Sequence, residues 1–94
     1  MSTYILLGTL TEEGEEQLRN NPEWLQNITQ DLAVMGVSLI AQYAVLGPYD
    51  IVTIVDAPDN RSVVRVSTQL TLRGNLKIVT LPALSIDDFL SSLI

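Results

Sequence analysis

Five positions have the residue types to hold a small polar ligand: Gly47, Tyr49 and Asp50 in the run Gly47-Pro48-Tyr49-Asp50, and two further tyrosines, Tyr4 and Tyr43. A phenol and a carboxylate can orient such a molecule between them, and a glycine lets the backbone come close to it. The same four-residue run also has the makings of a tight turn. Glycine supplies unusual backbone angles, proline fixes the next φ, and aspartate bonds free turn amides. The run therefore reads first as a turn and second as a ligand contact where two subunits meet.

Little else in the chain suits chemistry. There is no cysteine and no histidine, which removes thiol nucleophiles, zinc–thiolate sites, the usual general base and the commonest metal ligand. No residue stands out as catalytic, no metal-ligand set is legible, and nothing asks for a cofactor. Asp56 and Asp59 flank Pro58 and offer oxygens to a hard cation, but two carboxylates fall short of the six or more ligands of calcium. Asp59 reads better as a helix cap. Trp24 with Gln42, Thr53 and Thr80 could line a pocket, although aromatic residues in regular elements are more often core. Arg61, Arg65 and Arg73 read as solvated helix-surface charges. The glycines form neither a dinucleotide fingerprint nor a phosphate loop. Serines lack the histidine, and with Lys77 as the lone lysine, the amine that a hydrolase would use.

The formal charge of −6 argues against nucleic acid and anionic membranes, both of which select a basic footprint. No basic leader opens the chain, and no apolar run approaches the ~20 residues of a membrane span, so the expected location is cytoplasmic. The 94 residues make a single domain, 1–94. Charged residues are only 17% of the chain, against about 25% in ordinary soluble domains. So few charges on so small a body would leave apolar surface in water, which a second copy would cover.

The elements that must position these residues follow from periodicity and punctuation. Thr3 to Leu10 is a short apolar strand. Thr11 caps a helix opened by Glu12, Glu13, Glu15 and Glu16, whose carboxylates suit a helix N-terminus. Asn21-Pro22 breaks it, with Asn21 expected to cap a renewed helix and Pro22 at its first position. Leu25, Ile28, Leu32 and Met35 then recur at helical spacing up to Gly36. Val37 to Leu46 and Ile51 to Val55 are strands, and the short connector makes them an antiparallel hairpin. Asp59 to about Arg73, closed by Gly74, reads as a helix against a competing strand-like alternation of Val64, Val66, Thr68, Leu70 and Leu72. Leu76 to Ala83 is the last strand, and Ser85 caps a short helix with Phe89, Leu90, Leu93 and Ile94 on one face.

This order predicts an α+β domain of ferredoxin-like βαββαβ type, with a four-stranded antiparallel sheet and helices on one face. Strict alternation would put Val37, Leu39, Ala41, Tyr43 and Val45 on one face of the second strand, and Ser38, Ile40, Gln42, Ala44 and Leu46 on the other. In the third strand Ile51, Thr53 and Val55 oppose Val52 and Ile54. Both sheet faces come out largely apolar, whereas a solvated face should alternate with polar residues.

Tyr4-Ile5-Leu6-Leu7-Gly8, Thr11-Glu12-Glu13-Gly14, Gly47-Pro48-Tyr49-Asp50-Ile51-Val52, Asp56-Ala57-Pro58-Asp59 and Gly74-Asn75 together resemble the GYD domain family. That resemblance implies a dimeric α+β barrel, two sheets packed face to face. It implies no reaction. The stretch Gly47 to Asp59 is also similar to the effector-sensing domain of leucine-responsive transcription regulators, in which the equivalent loop frames an amino-acid site between subunits. The helix-turn-helix of those regulators is missing, so that likeness extends to ligand sensing alone. The expected function is a non-enzymatic homo-oligomeric module, a homodimer or an oligomer of dimers, that binds a small molecule or a protein partner at the inter-subunit cavity. The alternatives are a cofactor-independent small oxygenase or isomerase and a purely structural assembly unit.

Overall fold

The computed structural model describes residues 1–94. Its elements run β1 (Ser2–Leu10), α1 (Glu12–Asn20), α2 (Trp24–Val34), β2 (Ser38–Ala44), β3 (Ile51–Ala57), α3 (Asn60–Leu72), β4 (Leu76–Ala83) and α4 (Ile86–Ser91). One sheet forms in the order β2-β3-β1-β4 with every neighbouring pair antiparallel, so β2 and β4 are its edges. This is the ferredoxin-like arrangement that the sequence predicts. The segment with competing periodicities is helix α3. Asp59 opens it by accepting from the Ser62 amide at 2.9 Å, and Val63, Val66 and Leu70 form its buried stripe.

Three expectations at the level of single residues need correction. Pro22 is not the first residue of a renewed helix, and the Asn21 side chain caps nothing. Asn21 ends α1, its carbonyl accepts from the Trp24 amide at 3.0 Å, and α2 begins only at Trp24. The second strand is shorter than Val37–Leu46, being Ser38–Ala44. Its two faces are also not the two alternating sets.

The cause is a β-bulge. Leu39 pairs with Val55 and Ala41 with Ile54, which leaves Ile40 as an extra, unpaired residue. Past the bulge the alternation inverts. Leu39 shares a face with Val55, while Gln42 and Ala44 share that face with Thr53 and Ile51. Ala41 and Tyr43 turn to the opposite side, with Ile54 and Val52.

The core lies between the sheet and α1–α3. Tyr4 and Leu6 from β1, Ile51, Thr53, Val55 and Ala57 from β3, and Leu76 from β4 meet Trp24, Ile28 and Leu32 of α2 and the buried stripe of α3. Gly36, at φ +81°, ends α2 and turns the chain so that Val37 drops into this core.

The other face of the sheet carries no helix. Register places two apolar rows across it: Tyr43–Val52–Leu7–Val79 and Ala41–Ile54–Ile5–Leu81. A polar row, Ser38–Asp56–Thr3–Ala83, borders one side, and Thr9 with Lys77 lies on the other. Within that bordering row Thr3 Oγ1 donates to Asp56 Oδ1 at 2.9 Å.

Candidate functional site

The turn Gly47–Asp50 is tied to the far end of β1 through Asp50. Gly47 has φ +121°, a conformation that side chains with a Cβ rarely adopt. The Asp50 carbonyl accepts from the Val45 amide at 2.9 Å, closing the hairpin loop on itself. The Asp50 amide donates to the Gly8 carbonyl at 2.9 Å, and the Asp50 Oδ2 accepts from the Leu10 amide at 2.9 Å. Both groups of β1 lie where the strand runs out of regular partners, so Asp50 takes the place of a missing strand neighbour.

The same end of β1 meets the loop that closes α3. The Thr11 amide donates to the Asn75 carbonyl at 3.1 Å, and the Thr11 hydroxyl donates to the Gly74 carbonyl at 2.6 Å. That hydroxyl also accepts from the Gly14 amide at 3.0 Å, as the helix cap of α1. Gly14 must be glycine for reasons of space, because a Cβ there would sit 2.0 Å from the Asn75 carbonyl oxygen. Asp50, Thr11, Gly14, Gly74 and Asn75, brought together at the end of β1, thus make one joint.

The five ligand candidates do not converge. Tyr4 is buried on the helix side, and its phenol donates to the Asn60 Oδ1 at 2.5 Å at the start of α3. Tyr43 is on the opposite, open face and is 58% exposed. Tyr49 is half-buried beside Asp50, whose carboxylate is committed to Leu10. Asp56 and Asp59 are likewise engaged, with Thr3 and Ser62. The amide and side chain of Ser62 hold the Asp59 carboxyl below its ordinary range, with Arg61 and Arg65 adding smaller effects.

Trp24 is core, Gln42 donates to Thr53 at 3.1 Å, and Thr80 is 2.7 Å from the Ser67 hydroxyl. Arg73 pairs with Asp31 at 2.6 Å, joining the ends of α3 and α2 across their exposed sides. No three His, Cys, Asp or Glu side chains gather as a metal site. Between helices and sheet, Leu6, Ile28, Leu32, Gln42, Thr53 and Leu70 surround a cavity of about 20 Å³, room for one water molecule.

What the molecule does offer is surface. The open face bears Tyr43, Val79 and Leu81, all exposed. Beyond β4 every large apolar side chain is exposed: Leu84, Ile86, Phe89, Leu90, Leu93 and Ile94. The periodicity of α4 is legible in the sequence, but its lack of packing is not, because nothing in a six-residue amphipathic run says which body it will face. No helix is long and apolar enough to cross a membrane.

The fold is a ferredoxin-like α+β domain with an uncovered sheet face and a joint braced by Asp50. The chain belongs to the GYD domain family, whose model matches residues 4–93. It is 45% identical over 94 residues to the glutamine synthetase and cystathionine beta-lyase binding protein of Thermus thermophilus, an alignment that covers 99% of each chain.

Proposed function

We propose that this chain is a protein-binding module that pairs with a second copy through its open sheet face and, as a pair, docks on a metabolic enzyme. The observation that carries the proposal is the full-length likeness to a Thermus thermophilus protein named for binding glutamine synthetase and cystathionine beta-lyase. The chemistry of the chain agrees with it. Asp50, Asp56 and Asp59 are engaged in holding the fold, the inner cavity has room for one water, and the larger pocket, an open one of about 250 Å³ beside Ser67, Thr71 and Ile78, has no titratable group in its lining. A cytoplasmic location accords with such a partner.

The test is saturable binding of the purified chain to purified glutamine synthetase and cystathionine beta-lyase from its own host, read by interferometry. Binding to either enzyme supports the proposal, and no binding to both at micromolar concentrations removes it.

Pairing has its own support in the two apolar rows of the open face, which in a lone subunit would face water. A second reading, a small ligand held between the paired sheets, is favoured by one observation: the Tyr43 phenol stands on that face. Gly47, Tyr49 and Asp50 would then act by holding β2 and β3 in place. Thermal shift with a panel of amino acids decides this second reading. The enzyme and assembly-unit alternatives predict turnover and higher oligomers respectively.

A further inference from the structure

The segment after β4 is shaped as an arm. The subunit measures 51 × 30 × 18 Å, although its longest strand, β1 with nine residues, spans only about 30 Å. Its radius of gyration is 14.0 Å, where about 12.4 Å is expected for a compact chain of this length. No residue of α4 is buried. Ile86, Phe89, Leu90 and Leu93 make one apolar stripe by helical spacing, with Asp87, Asp88, Ser91 and Ser92 on the remaining surface.

A six-residue helix does not persist by itself in water, because nucleation outweighs so few hydrogen bonds. The cap at Ser85, which accepts from the Asp88 amide at 3.1 Å, lowers that cost without removing it. The arm therefore needs a body to lie on. Its own sheet does not serve as that body, since Val79 and Leu81 stay 45% and 42% exposed and Ile86, Phe89, Leu90 and Leu93 stay 71%, 48%, 53% and 66% exposed.

We propose that residues 84–94 form an arm that clasps the second copy of this chain. The inference rests on the pairing proposed above. Area argues for this occupant. Four strands at ~4.8 Å spacing and about seven residues long give the open face a footprint of roughly 440 Å². A standard interface takes about 800 Å² of accessible surface from each partner, and a face of this footprint gives only part of it. Each Leu, Ile or Phe of the arm removes on the order of 100 Å² from water when fully covered. Two arms related by a two-fold axis make good the shortfall. Position argues the same way, because Ala83 pairs with Thr3 in the polar row bordering the open face, and the arm leaves the sheet at that border.

The experiment compares the full-length chain with full-length Phe89→Ser/Leu93→Ser by sedimentation. Both side chains are exposed in the subunit, so the fold should survive, as circular dichroism would verify. The expected result is a dimer dissociation constant raised at least tenfold. A second measurement places a benzophenone side chain at position 90 in a mixture of isotopically light and heavy chains, and light–heavy cross-links are expected. An unchanged dissociation constant, or cross-links confined to one isotope, overturns the arm and leaves face-to-face pairing standing. A monomeric parent chain overturns both. An intact dimer in the double variant that has lost enzyme binding assigns the arm to the enzyme and overturns the proposal.

Discussion

The Asp50 carboxylate accepts the hydrogen bond of the Leu10 amide at 2.9 Å, across forty residues of sequence. This contact makes the motif's aspartate a brace for the end of β1. Replacing Asp50 with alanine leaves the amide unpaired and should cost about 1–2 kcal/mol. Thermal or urea melts check it, and a loss of enzyme binding at unchanged stability would return Asp50 to recognition.

Gly14→Ala tests the joint from its other side. A methyl group 2.0 Å from the Asn75 carbonyl oxygen forces α1 and the 74–75 loop apart. The expected loss is about 1–3 kcal/mol, read from urea melts. Gly36→Ala is the control for glycine in general, since its Cβ would meet nothing within 4 Å and any cost comes from its φ of +81°.

Ile54→Asp places a charge in the middle of the open face, where Ile54 pairs with both Ile5 and Ala41. Sedimentation should show monomers at concentrations where the parent chain is paired. The folded subunit should survive, because Ile54 is outside the buried core. A dimer of undiminished strength would place the interface elsewhere.

The Asp59 cap carries a pH signature. Its carboxyl is held below the ordinary value by Ser62, so folding favours the ionised form. The stabilisation is complete above the unfolded-state value near 3.9 and is lost as pH falls through the lower folded-state value. Asp59→Ala should therefore melt earlier than the parent at pH 7, and the difference should shrink as the pH falls below about 4. An equal difference at pH 7 and at pH 2 would mean that the cap acts through something other than its charge.

Most of the architecture was legible because punctuation and period agreed. Thr11, Asp59 and Ser85 cap the three helices that they are expected to cap, and Gly36 and Gly74 both take the positive φ that suits a helix end. In α3 these end signals outweighed a strand-like alternation, since Val64 and Leu72 are outward residues and not part of a second apolar face. The bulge was not legible. Ile40 differs in no way from a regular strand residue, and only pairing with Val55 and Ile54 reveals that β2 has one residue too many. The candidate site suffered for the same reason. Tyr4 and Tyr43 are both strand tyrosines, and they face opposite sides of the sheet because the extra residue at Ile40 inverts the alternation before Tyr43.

That extra residue has a consequence for how the molecule can associate. A sheet grows sideways when an exposed edge offers an unbroken ladder to another strand. Here the β2 edge is kinked at Ile40, and the β4 edge lacks an amide at Pro82 and carries the charge of Lys77. Both borders thus discourage strand addition, while the broad face between them stays apolar and uncovered. Association through a face closes after one event, whereas association through an edge can repeat without end. If the chain pairs as proposed, the bulge and the proline would direct that pairing to the face and away from open-ended edge growth.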